Sequence, residues 1–145
     1  MDPLEPSSAH TVVLADDHPA VLRSASELLA SRFTVVAEVS DGRSAVEAVA
    51  RLNPDVAVLD IMMPELNGIG AAREIRRNRS CVKIVFLTVQ NDRDYVSAAL
   101  EAGASGYVLK SRMRSDLLSA VEHALVDRVF ISALPTPFEH TSSPL

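Results

Sequence analysis

Short unbroken apolar stretches recur along the chain, and nearly every one ends on a polar residue. Val12-Val13-Leu14-Ala15 runs into Asp16 and Asp17, and Val56-Ala57-Val58-Leu59 ends on Asp60. Lys83-Ile84-Val85-Phe86-Leu87 closes on Thr88, and Tyr107-Val108-Leu109 closes on Lys110. A strand buried on both faces has this continuous apolar look. Together with a more polar stretch carrying Thr34 and Glu38, the pattern predicts strands at about 11–15, 34–39, 55–60, 82–88 and 106–110.

The segments between them follow a helical period. Val21, Leu22, Ala25, Leu28 and Leu29 share one face, as do Ala45, Val46, Val49 and Leu52, and later Leu117, Leu118, Val121 and Leu125. Asn53-Pro54 stops the second helix, and Gly103 stands where a helix C-terminal cap belongs. Strict alternation of strands and helices implies a parallel sheet covered on both faces. Right-handed crossovers narrow this to a doubly wound sheet. The polar second strand suits an edge, which favours five strands in the order 2-1-3-4-5, a flavodoxin-like arrangement.

In that order the two acid-bearing strands flank the topological switch point, where open α/β sheets place their sites. Asp16, Asp17 and Asp60 then converge at one sheet edge and repel one another unless a cation joins them. Mg²⁺, a hard ion with oxygen ligands, is the obvious candidate. Thr88 and Lys110 end neighbouring strands. Acid, hydroxyl and ammonium at four strand ends make a phosphoryl site.

Composition narrows the class without changing this picture. The 145 residues suit one domain, with 48% apolar and 23% charged residues. A formal charge of −5 argues against this chain gripping nucleic acid by itself. The single cysteine, Cys81, allows no internal disulfide, suits a reducing cytosol, and is expected to be partly buried at a strand start. No stretch is long and apolar enough for a bilayer, and the N-terminus lacks the signature of a signal peptide, so a cytoplasmic location without membrane contact is expected. The expected organisation is a flexible arm at 1–10, the domain at 11–132, and a Pro/Ser-rich linker or tail at 133–145.

The stretches Ala15-Asp16-Asp17-His18-Pro19, Leu59-Asp60-Ile61-Met62-Met63-Pro64-Glu65-Leu66-Asn67-Gly68, Leu87-Thr88 and Ala102-Gly103-Ala104-Ser105-Gly106-Tyr107-Val108-Leu109-Lys110 closely resemble the receiver domain of bacterial two-component response regulators. The resemblance covers most of the chain. It implies that Asp60 accepts a phosphoryl group from a sensor histidine kinase, with Asp16, Asp17, Asp60 and the backbone carbonyl of Met62 holding Mg²⁺. It implies that Lys110 pairs with the phosphoryl oxygens and that Thr88 hydrogen-bonds one of them. Tyr107 would be a switch aromatic that turns inward as Thr88 moves. The chain would not be an enzyme in its own right, but a receiver that assists its own phosphorylation and dephosphorylation.

Asp-Asp-His-Pro, Gly-Tyr-Val-Leu-Lys and the lack of proline after Lys110 look most like the NarL/FixJ-type subfamily. Members usually carry a C-terminal helix-turn-helix domain, so the chain is expected to be the regulatory part of a DNA-binding regulator, contacting DNA only through a domain absent from this chain, with a stand-alone receiver as the alternative. A homodimer on phosphorylation is a further partnering state the resemblance allows. Met62, Val89 and Gln90 occupy places that tune dephosphorylation, and Val89 is expected to narrow the mouth of the site. His18 is expected to serve the entry turn of a helix, with a role as metal ligand or phosphoryl carrier the lesser alternative. Gly68 is expected to relieve backbone strain in a turn, and Asp127-Arg128 stands where a glycine turn is common. A Mg²⁺-dependent phosphatase would want a second aspartate at position 62, where this chain has methionine. A receiver that only binds partners is disfavoured by the intact acids, threonine and lysine.

Overall fold

The computed structural model describes residues 10–132. The expected arm, apart from His10, and the expected tail lie outside the described residues. The strands are β1 (Thr11–Ala15), β2 (Thr34–Val39), β3 (Val56–Leu59), β4 (Lys83–Thr88), β5 (Gly106–Leu109) and β6 (Phe130–Ile131). The helices are α1 (Pro19–Ala30), α2 (Gly42–Leu52), α3 (Gly68–Arg77), α4 (Arg93–Glu101) and α5 (Met113–Leu125), with a 3-10 turn at Lys110–Arg112. All strands pair in parallel in the order β2-β1-β3-β4-β5-β6. The expected order is therefore extended by one strand.

Only two residues long, β6 carries no sequence signature of its own. It docks because Phe130 N–H donates to the Ser105 carbonyl at 3.1 Å and Ser132 N–H donates to the Tyr107 carbonyl at 2.8 Å. These bonds satisfy backbone groups on the far side of β5 that a five-stranded sheet would leave open. The turn into β6 takes a left-handed residue at Asp127, φ 62°, at the place where a glycine turn is common.

Alternation along each strand builds two cores. Val12, Leu14, Val56, Val58, Val85, Leu87 and Val108 face α1 and α5. Ala15, Ala57, Leu59, Ile84, Phe86, Tyr107 and Leu109 face α2, α3 and α4. A period of two with both faces covered explains why these strands read as continuous apolar runs. Burying a Val or Leu side chain contributes roughly 1.5–3 kcal/mol, so this double layer is the main source of stability.

Helix ends follow local chemistry. Asp41 accepts from Ser44 N–H, Asn67 from Gly70 N–H and Asp92 from Asp94 N–H, capping α2, α3 and α4. Asn53 ends α2 at φ 48°, and Gly103 follows α4 at φ 98°. Gly68 departs from expectation: its φ is not positive, and the left-handed residue in this loop is Glu65, φ 71°. Gly68 is required by space instead, because a Cβ there would stand 2.0 Å from the Asp60 carbonyl oxygen. Its N–H donates to the Ile61 carbonyl at 2.7 Å, pressing the start of α3 against the loop that carries Asp60. Cys81 also differs from expectation, being exposed just before β4.

Candidate functional site

The site grows from the pairing of β1 with β3. Asp60 N–H donates to the Ala15 carbonyl at 3.0 Å, which sets Asp60 beside Asp16 just past the strand ends. Both residues are buried, Asp16 1% and Asp60 2% exposed, while Asp17 lies on the surface. Lys110 follows β5 and reaches across to them. Its Nζ lies 2.8 Å from Asp16 Oδ2 and 2.9 Å from Asp60 Oδ2. Burial opposes the charge on Lys110 and is the largest single influence, yet the hydrogen bonds to Asp16 and Asp60 outweigh it and raise its pKa. The ammonium is therefore kept charged at the centre of the acids.

Two carboxylate oxygens stay short of partners. Asp60 Oδ1 is buried without a hydrogen bond, and Asp16 Oδ2 meets only the Lys110 ammonium. A buried oxygen without a donor is costly unless something binds it. Asp16, Asp17 and Asp60 form an all-oxygen carboxylate set beside that orphan, so the residues present fit a hard divalent cation. Met62, whose carbonyl is the expected further ligand, lies in the loop just after Asp60, with its side chain 49% exposed.

Thr88 ends β4 and is fully buried. Its Oγ1 accepts from Gln90 N–H at 3.3 Å. Tyr107, expected to turn inward on phosphorylation, is already inside and has no exposed surface. Its hydroxyl donates to the Gln90 carbonyl at 2.7 Å. Burial, reinforced by nearby Tyr95, Asp60 and Asp92, pushes its pKa well up, so it remains a donor. Val89, expected to narrow the mouth of the site, is 64% exposed. Gln90 thus engages the site through its backbone.

Residues 12–122 match the family model described as the response regulator receiver domain. The chain belongs to the response regulator receiver family. This receiver is 40% identical over 113 residues to the transcriptional regulatory protein DegU of Brevibacillus brevis, covering 77% of this chain and 48% of that protein. It is 36% identical over 129 residues to the nitrate/nitrite response regulator protein NarL of Escherichia coli (strain K12), covering 88% of this chain and 60% of that protein. The receiver therefore spans about half to three-fifths of the curated relatives it matches. Among solved structures it resembles a LuxR-family two-component response regulator from Aurantimonas sp. SI85-9A1, with a TM-score of 0.82 and 35% identity, covering 86% of this chain and 91% of that one. These likenesses make it a receiver of the NarL/FixJ type.

Some of the receiver's chemistry escaped the sequence. His18 does enter α1 as expected, its carbonyl accepting from Leu22 N–H at 2.9 Å and Pro19 following it. Its ring also lies against the acids, as the lesser alternative in the sequence would have it, with Nδ1 3.1 Å from both Asp16 Oδ1 and Asp17 Oδ1. Behind Lys110, Leu109 N–H donates to Ser132 Oγ at 3.2 Å, and Ser132 Oγ donates to Asp116 Oδ2 at 2.7 Å. Arg112 Nε also donates to Asp116 Oδ2, at 2.9 Å. Burial would raise the Asp116 pKa, but the bonds from Ser132, Arg112 and Ser115 outweigh it and hold it low. An aspartate and a serine this far apart have no local signature. Among the described residues no helix is long and apolar enough to cross a membrane.

Proposed function

We propose that this receiver is a phosphorylation-dependent switch in which Asp60 takes a phosphoryl group from the phosphohistidine of a sensor histidine kinase. The observation that carries the reading is the placement of Lys110 Nζ between Asp16 and Asp60, with buried Asp60 Oδ1 lacking a partner. Asp16, Asp17, Asp60 and the Met62 carbonyl would hold Mg²⁺. When bound, that ion offsets negative charge on the transferring group.

In the forward step an Asp60 carboxylate oxygen attacks phosphorus and an O–P bond forms as the P–N bond breaks. The electron pair returns to the imidazole nitrogen of the donor. Lys110 keeps its charge beside the developing oxygens, and Thr88, whose hydroxyl only accepts in its bond from Gln90 N–H, donates its proton to one of them. In the hydrolytic step water attacks the same phosphorus as the Asp60 O–P bond breaks; the electron pair returns to the Asp60 carboxylate, and inorganic phosphate leaves carrying the oxygen and protons of the water. No separate substrate is turned over.

The unit that switches is 11–132. The lengths of the relatives support a longer protein in which this unit regulates a DNA-binding domain, with residues 133–145 as linker, in the cytoplasm and without membrane contact. Phosphorylation would also bias homodimer formation. The test is incubation with acetyl phosphate and Mg²⁺ followed by intact mass. One added phosphoryl group is expected, and none in Asp60→Ala. Unchanged mass in the wild type, or labelling that survives Asp60→Ala, overturns the reading.

A further inference from the structure

The geometry points to a second class of ion at the acidic cluster: a borderline transition-metal dication such as Zn²⁺, bound through His18 Nδ1 in competition with Mg²⁺. This rests on the cluster being a divalent-cation site. His18 is the N-cap residue of α1, yet its side chain makes no capping hydrogen bond. The ring turns into the cluster, with Nδ1 3.1 Å from Asp16 Oδ1, 3.1 Å from Asp17 Oδ1, and 4.0 Å from Asp60 Oδ2. One ligand atom from each of these four residues lies within 4.8 Å of all the others.

Two metal–ligand bonds of about 2.1 Å span roughly 3.0 Å at a right angle and roughly 3.4 Å at the tetrahedral angle. Both nitrogen–oxygen separations fall inside that range, so an ion can bond Nδ1 and two carboxylates with little rearrangement. Asp60, a member of the same cluster, also carries a buried Oδ1 with no hydrogen-bond partner. The neutral ring offers a lone pair at Nδ1 once its proton sits on Nε2. With its side chain 61% exposed, His18 meets an incoming ion from solvent.

Donor chemistry decides which ion gains from this ring. Mg²⁺ takes oxygen ligands and keeps its waters, so it draws little from an imidazole. Zn²⁺, Co²⁺ and Ni²⁺ accept imidazole readily. An ion held by His18, Asp16 and Asp17 occupies carboxylates that Mg²⁺ needs. Lys110 Nζ lies 3.5 Å from Nδ1, 2.8 Å from Asp16 Oδ2 and 2.9 Å from Asp60 Oδ2, so an incoming ion meets the least opposing charge beside Asp17.

The test is calorimetric titration of the whole chain with Zn²⁺ and, separately, Mg²⁺. A Cys81→Ser background removes the exposed thiol, and His18→Ala and His18→Gln are compared with their parent. Zn²⁺ affinity is expected to fall about tenfold or more in both variants. Mg²⁺ affinity should stay within about twofold. The ¹⁵N resonance of His18 Nδ1, assigned by its loss in His18→Ala, should move on Zn²⁺ addition. Unchanged Zn²⁺ affinity in His18→Ala, or an unmoved ring resonance, overturns the nitrogen ligand. Zn²⁺ binding that depends on His18 without any Mg²⁺ binding would support the imidazole site and sink the Mg²⁺ reading instead. Absence of both ions overturns both.

Discussion

Tyr107 donates its hydroxyl to the backbone carbonyl of Gln90, 2.7 Å away, and the same residue's N–H donates to Thr88 Oγ1. One peptide segment therefore joins the aromatic core residue to the hydroxyl at the phosphoryl site. Through that segment, a movement of Thr88 is expected to be felt at the carbonyl that holds Tyr107. Tyr107→Phe removes a buried donor and is expected to cost about 1–3 kcal/mol, since the Gln90 carbonyl loses its partner. Urea unfolding checks this. The variant should still accept the phosphoryl group on Asp60, and amide shifts on adding a phosphate mimic should fade at α4 and α5.

Mg²⁺ should stabilise the fold, because an ion that binds only the native state adds to its stability, by about 2.7 kcal/mol at a hundredfold excess over Kd. A raised thermal midpoint in millimolar Mg²⁺ is expected for the wild type. Asp17→Ala should show almost no rise. An equal rise in that variant would place the ion elsewhere.

Asp116 predicts an acid-side loss of stability. Its folded pKa lies below the ordinary aspartate value of 3.8, so the carboxylate stabilises the fold above the unfolded value. That contribution disappears as pH falls through the folded pKa, in the window below about pH 4. Asp116→Asn should flatten the wild-type fall in that window and lower stability at neutral pH. Ser132→Ala should lower neutral stability by about 1 kcal/mol through loss of one hydrogen bond and of the acceptor for Leu109 N–H.

Gly68→Ala introduces a Cβ 2.0 Å from the Asp60 carbonyl oxygen, a rigid backbone atom. The loop or the start of α3 must shift, at about 1–3 kcal/mol. Because that loop carries Asp60, the variant should also accept phosphoryl groups more slowly from acetyl phosphate. Full-rate labelling at reduced stability would separate packing from site geometry.

The lifetime of the acyl phosphate tests Met62 and Val89. Hydrolysis needs an oriented water in line with the breaking bond, and Met62 supplies no polar side-chain atom. Met62→Asn should speed decay, each tenfold corresponding to about 1.4 kcal/mol of barrier. Val89→Ala should change decay little, because its side chain stands 64% exposed in solvent. Decay of the labelled protein with Mg²⁺ present distinguishes the two.

The residues at the heart of the site were legible because buried parallel strands leave a plain trace. An apolar run that ends on Asp60, Thr88 or Lys110 announces both the strand and its carboxyl edge, and alternation with helices determines that those edges share one side of the sheet. The polar face of β2 likewise showed that it lies at an edge. What needed tertiary structure depended on pairs distant in sequence or on a side-chain rotamer. The two-residue β6 exists only because β5 offers backbone partners, and Ser132 meets Asp116 only once that strand has docked. His18 could enter a helix with its ring toward solvent or toward the acids, and the sequence around Pro19 permits either. Tyr107 reads as an apolar strand position whichever way its ring points. Periodicity encodes which face a residue occupies. The hydrogen bond its tip finds is chosen by whichever chain segment folding brings alongside.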